Sequence, residues 1–288
     1  MFPGFTNERI AAGELTINVC HGGDGPPLLL LHGYPQTHVT WQRIAPTLAK
    51  RFTVICPDLR GYGDSDKPPG GDDHSAYSKR TMALDQVEVM RYLGFERFAV
   101  AGHDRGARVA LRLALDHPDA VSHLAVLDIV PTKTIYETID QQQATTVWRY
   151  FFLIQPQDLP ERLIAGDPPG YLHWTLNEWC GTPGALDEQA VAEYERCFDR
   201  ATIHASCEDY RAGATIDLTH DRADASRKLA CPTLALWSKP GIGGAYDVTG
   251  IWRERAPHFT GRALDCGHFL AEERPQETAG ALRSFLST

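Results

Sequence analysis

Positive charge is scarce in this chain. Its 288 residues carry 28 Lys and Arg against 37 Asp and Glu, a formal net charge of −9. A nucleic-acid binder normally shows a basic footprint, so this balance speaks against that class. It leaves room for a small anionic partner, because a local pair of arginines can act against the global sign. Long hydrophobic runs are missing too. A membrane span needs roughly 18 apolar residues, and the apolar stretch near the start ends at Leu31. Met1-Phe2-Pro3-Gly4-Phe5 lacks the basic segment and apolar core of a signal peptide. No C-x-x-C occurs. The seven cysteines, an odd number, are scattered from Cys20 to Cys266. They read as reduced, mostly buried thiols and predict a cytoplasmic protein with no metal site. Repeats and low-complexity tracts are absent.

What the chain does have is an alternation of strand and helix signals. Residues 28–31, four leucines, read as a central strand buried on both faces. A helix over 41–49 and a strand over 52–56 follow. After a loop rich in Gly, Asp and Pro, Ala83, Leu84, Val87 and Met90 recur at helical spacing and predict a helix over 78–93, stopped by Gly94. Strands at 98–101 and 124–127 flank a helix at 107–115. The pattern returns with strands at 233–237 and 263–264 and a last helix at 275–285. Such units predict an α/β fold, a mainly parallel sheet with helices on both faces. Between Pro131 and Arg222 the text is helical and aromatic with no convincing strand. We therefore expect a core domain of residues 1–130 and 223–288 and an inserted helical cap of residues 131–222. An insertion of this kind covers the ligand end of the sheet.

The predicted strand at 98–101 runs into Gly102-His103-Asp104-Arg105-Gly106 and then a helix. This is the strand, sharp turn and helix of a nucleophile elbow, with Asp where G-x-S-x-G has Ser. The central residue of that turn is strained, and its neighbours two positions away must be nearly free of side chain. A carboxylate there displaces a leaving group from a saturated carbon. The resulting alkyl ester is then hydrolysed by water that a base activates. Asp104 thus selects alkyl substrates such as halides or epoxides.

Gly267-His268-Phe269 follows the last predicted strand, where an α/β hydrolase carries its histidine, so His268 is the candidate base. Two acids could orient it. Asp128 follows its strand at once and is favoured; Asp247 lies beyond the glycine-rich loop 241–244. His32-Gly33-Tyr34-Pro35 follows the first predicted strand. In this architecture the backbone amides of Tyr34 and Arg105 would form the oxyanion hole. Arg105 and Arg108, three apart at a helix start, share one face beside Asp104. Arg suits bidentate carboxylate recognition, so the pair predicts a small anionic substrate with a carboxylate next to the reacting carbon.

On these motifs the chain resembles the fluoroacetate (haloacetate) dehalogenases of the α/β-hydrolase superfamily over nearly its whole length. The matching pieces are His32-Gly33-Tyr34-Pro35-Gln36, Asp58 to Ser65, Gly102 to Arg108, Leu127 to Pro131, Cys207-Glu208-Asp209-Tyr210-Arg211 and Cys266-Gly267-His268-Phe269. The resemblance implies Asp104 as nucleophile, His268 as base and Asp128 as its partner. It implies Arg105 and Arg108 as carboxylate ligands and Tyr210 as a halide contact. It also implies a homodimer without a cofactor. One departure stands out. The family's cap carries Trp-His-Trp, its last two residues donating to the departing halide. Here Trp148-Arg149-Tyr150 takes that place. Arg149 could donate to halide, take the carboxylate or point to solvent. The change weighs against fluoride and leaves chloro- and bromoacids. Epoxide hydrolases are the rival, with the same Asp-His-Asp set and two cap tyrosines, a role Tyr150 and Tyr210 could fill. Arg105 and Arg108, which a neutral epoxide does not need, speak against it. A non-catalytic receptor on the same fold need not keep all of Asp104, Asp128 and His268.

Overall fold

A computed structural model describes residues 2–287. Its eight strands form one sheet in the order β1-β2-β4-β3-β5-β6-β7-β8. These are β1 (Thr6–Ala12), β2 (Leu15–Gly22), β3 (Pro27–Leu31), β4 (Thr53–Pro57), β5 (Phe98–His103), β6 (Val121–Leu127), β7 (Thr233–Ser238) and β8 (Phe259–Leu264). From β4 through β3 to β8 all neighbours are parallel. β1 and β2 are antiparallel to each other, and β2 is antiparallel to β4. That hairpin is absent from the sequence reading, which begins its sheet at residue 28. Its outer strand is half exposed and carries Asn7, Glu8 and Arg9, so it presents no continuous apolar run.

The central strands follow directly from their residues. Leu29 and Leu31 of β3 enter the core on one face of the sheet, while Leu28 and Leu30 enter the core on the other. This is the two-residue period of a pleated strand covered on both sides. Each such leucine contributes about 1.5–3 kcal/mol by leaving water. The helix Lys79–Tyr92 starts where Ser78 accepts from the Thr81 amide and stops before Gly94, whose φ of 84° suits glycine. Over 41–49 the expected helix is replaced by a 3-10 turn, His38–Trp41, and one α turn, Ala45–Leu48. Pro46, with no amide hydrogen, is confined to the first turn of that α segment.

Between β6 and β7 the chain makes only helices, from Thr132–Thr138 to Ile216–Ala223. Strand register brings the remaining parts of the site together. His103 pairs with Leu127, so the residues that follow, Asp104 and Asp128, leave adjacent strands side by side. The segment starting at His32 leaves β3 on the other flank of β5, and His268 lies in the loop after β8. All emerge at the carboxyl ends of the parallel strands, where open α/β sheets form their crevice. Among the described residues no helix is long and apolar enough to cross a membrane, and all seven cysteines are free.

Candidate active site

The turn after β5 is built by close approach. A Cβ on Gly102 would run into the backbone of Gly106 and Ala107, and one on Gly106 into the backbone oxygens of Leu31 and His32. Between them Asp104 adopts φ 47°, ψ −114°, a conformation rare for a residue with a side chain. The strain lifts its carboxylate to the base of a cavity of about 560 Å³. That cavity also exposes Arg108, Asp128, Arg149, Tyr150 and His268.

Asp104 Oδ1 accepts from the Tyr34 amide at 2.9 Å. The Arg105 amide opens the following helix, Arg105–Asp116. Burial by itself would raise the Asp104 carboxyl's pKa. The nearby charges of His268, Arg105 and Arg108 outweigh it and hold the group below the usual carboxylate range. Asp104 is therefore ionised at neutral pH.

His268 Nδ1 is 2.6 Å from Asp128 Oδ2, and Asp128 Oδ1 accepts from the Ser238 amide at 2.7 Å. The imidazole is thus held by an acid that is itself anchored to β7. Asp247, the alternative acid, instead accepts from the Gly250 amide at 2.9 Å and caps the helix Val248–Arg255. Burial disfavours the imidazolium, but the hydrogen bond and charge of Asp128, with the charge of Asp104, raise the His268 pKa overall. The backbone around His268 is fixed as well. Its amide donates to Trp179 O, and its carbonyl lies 2.8 Å from His103 Nε2. Burial, then the charge of His268, push His103 down to about 3, so it stays a neutral partner.

The two arginines, expected together on one face, have different protein partners. Arg105, like Tyr210, is not among the residues that line the cavity. Its Nε and Nη2 donate to the carboxylate of Asp209 at 3.0 and 2.7 Å, and Nη2 also donates to the Asp209 carbonyl. Its guanidinium carbon lies 4.2 Å from the centre of the Tyr210 ring. Asp209 is fully buried and also meets Lys79 and Tyr62. An Arg fork facing a buried carboxylate satisfies both charges at once. Arg108 faces the cavity. It donates to Val130 O, Thr132 Oγ1 and the Tyr150 hydroxyl, leaving Nε without a partner. Tyr150 and Tyr210 have ring centres 5.3 Å apart, and the buried Tyr210 hydroxyl has no hydrogen-bond partner.

Several contributors escaped the sequence reading. Trp179 packs edge-on against His268 at 5.0 Å and lines the cavity. Glu273 Oε2 and Oε1 accept from the amides of Gly267 and Phe269, the two residues flanking His268. Trp148 and Trp174 enclose Arg149. For Glu273 a signal existed in its closeness to His268 along the chain, and for Trp148 in its place beside Arg149; for Trp174 and Trp179, on the separate helix Pro168–Trp179, none did.

Known proteins share this fold. The model of the alpha/beta hydrolase fold family matches residues 26–275. A fluoroacetate dehalogenase from Burkholderia sp is 46% identical over all of this chain and 95% of its own. A soluble epoxide hydrolase from Corynebacterium is 38% identical over 88% of this chain and 87% of its own. The crystal structure of ALR0039 from Nostoc sp PCC 7120 superposes with a TM-score of 0.98 at 56% identity, covering 100% of this chain and 99% of that one. The chain belongs to the α/β-hydrolase fold family and, within it, to the haloacetate dehalogenases.

Proposed function

We propose that the protein hydrolyses short 2-haloacids to 2-hydroxyacids. The observation that carries this reading is the ionised Asp104 carboxylate on the elbow, facing His268 with Asp128 behind it. An Asp104 oxygen attacks the saturated carbon, the carbon–halogen bond breaks, and the halide leaves with the bonding pair. The product is an alkyl ester on Asp104. His268 Nε2 then takes a proton from water, and the hydroxide adds to the ester carbonyl carbon. Charge developing on the carbonyl oxygen meets the Tyr34 amide and the first amide of the helix Arg105–Asp116. Collapse releases the hydroxyacid and regenerates the carboxylate.

In this reading Arg108 holds the substrate carboxylate, because its guanidinium borders the cavity while that of Arg105 is committed to Asp209. Arg105 then contributes its amide and its positive field. Arg149, Tyr150 and Tyr210 form the leaving-group side. A charged Arg149 in place of the family's histidine suits chloride and bromide better than compact fluoride.

An epoxide hydrolase is the second reading, favoured by the closeness of Tyr150 and Tyr210 and the unpartnered Tyr210 hydroxyl. The test is a panel of fluoro-, chloro- and bromoacetate beside styrene oxide, scored by halide and diol release. Halide release from chloro- or bromoacetate with no diol supports the dehalogenase; diol alone reverses the order. We also propose a cytoplasmic homodimer; Leu163 and Trp174, on two inserted helices, are large apolar side chains left at least half exposed. Sedimentation of the purified protein tests its oligomeric state.

A further inference from the structure

Besides Arg108, two buried arginines flank this site, and the carboxylates that face them differ in burial. Arg105 is paired to a carboxylate as buried as itself, in a two-pronged contact. Arg149, 1% exposed, is enclosed by aromatic faces. The ring centres of Trp148, Trp174 and Trp179 lie 4.7, 4.7 and 4.6 Å from its guanidinium carbon. Three indole faces compensate much of the cost of burying the cation. Among the described residues its one carboxylate partner is Glu178, whose side chain is 38% exposed and lines the same cavity as Asp104 and His268. Glu178 Oε2 is 2.6 Å from Arg149 Nη1, yet neither Nη1 nor Nε makes an aligned hydrogen bond. The contact is one of charge, not of directed donors. Thr175 Oγ1 takes the remaining nitrogen, Nη2, at 3.3 Å.

We propose that Glu178 is a displaceable counter-ion of Arg149, covering the guanidinium while the cavity is free of anion and yielding it to an incoming one. A half-exposed carboxylate can return to water at small cost, whereas the caged guanidinium cannot follow it. Glu178 therefore competes with the anion for the same positive charge and lowers the affinity of the site for halide. Such a competitor matters to an enzyme whose product is an anion, since a bare buried arginine would retain the halide it helped to expel. The inference rests on the dehalogenase reading for its purpose, but the competition itself is a binding property.

The test uses bromide as the probe and tryptophan fluorescence as the signal, three of the six tryptophans surrounding Arg149, at constant ionic strength and without substrate. Bromide should quench saturably in the wild type. Glu178→Gln should lower the half-saturating concentration about three-fold, in keeping with the strength of a partly exposed ion pair. Glu178→Asp, which keeps the charge, should stay near the wild type, and Arg149→Met should lose the saturable component. In steady state, Glu178→Gln should lower the KM for chloroacetate and strengthen product inhibition by chloride. An unchanged or raised half-saturation in Glu178→Gln overturns the proposal, because it makes Glu178 a mere support for Arg149. Absence of saturable quenching in every form overturns it as well. If bromide binding shifts as expected but no haloacid is turned over, the counter-ion stands and the dehalogenase reading falls.

Discussion

His268 Nε2 stands 3.9 Å from Asp104 Oδ2, near enough to feel its charge and too far to hydrogen-bond to it. The imidazole is tied on its other side to Asp128, so nucleophile and base are kept apart. The separation fits a two-step reaction. A free carboxylate attacks first, and the base acts only once that carboxylate has become an ester.

The pH dependence follows from the opposite directions of the two pKa shifts. Asp104 is held low, so it remains an ionised nucleophile at about pH 5, between the ordinary carboxylate and imidazole values. His268 is raised, so it is protonated there and cannot act as base. Esterification removes the Asp104 charge and lowers the His268 value somewhat, but the Asp128 contact persists. The alkyl-enzyme should therefore accumulate at about pH 5 with chloroacetate and decay when the pH is raised to about 8. Acid quench and intact-protein mass measure it; equal ester levels at both pH values would contradict the two-step scheme.

Arg105 and Arg108 should respond differently to replacement by leucine. Arg105→Leu strips Asp209 of its two-pronged partner within a buried network. Breaking such a pair costs about 3–5 kcal/mol, so urea denaturation should register the main effect. Arg108→Leu should instead raise the KM for haloacids by at least about ten-fold, the usual worth of a charged hydrogen bond to substrate. A large KM effect from Arg105 and none from Arg108 would reverse the assignment.

Glu273 grips the loop on both sides of His268. Glu273→Gln leaves one acceptor oxygen and presents an amide nitrogen to the second backbone N–H. We expect a fall in kcat of about ten-fold, an unchanged KM and accumulation of the alkyl-enzyme at neutral pH, since a 1 Å displacement of a catalytic group can cost far more. Equal losses in esterification and hydrolysis would point to general damage to the fold.

Glu272, fully buried beneath Gln36 and Tyr194, is pushed by burial to about 7. The folded state then binds a proton that the unfolded chain releases above the ordinary glutamate value. Its contribution is full below that value and is lost as pH rises through about 7. The loss amounts to about 3 kcal/mol. Glu272→Gln should be free of this term. Denaturant titrations at pH 5 and 8 should show the wild type losing more stability with rising pH than the variant; parallel losses would disprove it.

Much of this molecule is written locally. The four leucines of β3, the apolar β5 and the Gly102–Gly106 turn each depend on a few consecutive residues, because strand periodicity and tight-turn sterics act within that range. Asp104 and His268 could be singled out for the same reason. The hairpin of β1 and β2 could not be read that way, since its half-exposed face dilutes the apolar signal.

Pairings across the chain were decided only by tertiary structure. Both Asp128 and Asp247 follow strands, and only the packing of the loops sets Asp128, 140 residues away in sequence, against His268. Arg105 and Arg108 look equivalent on one helix face, but Asp209, 104 residues from Arg105, takes the first and leaves the second to the cavity. Sequence spacing fixes which side chains share a face. Which charge neutralises which depends on distances of a few ångströms between elements, and those exist only once the sheet and its inserted helices have packed.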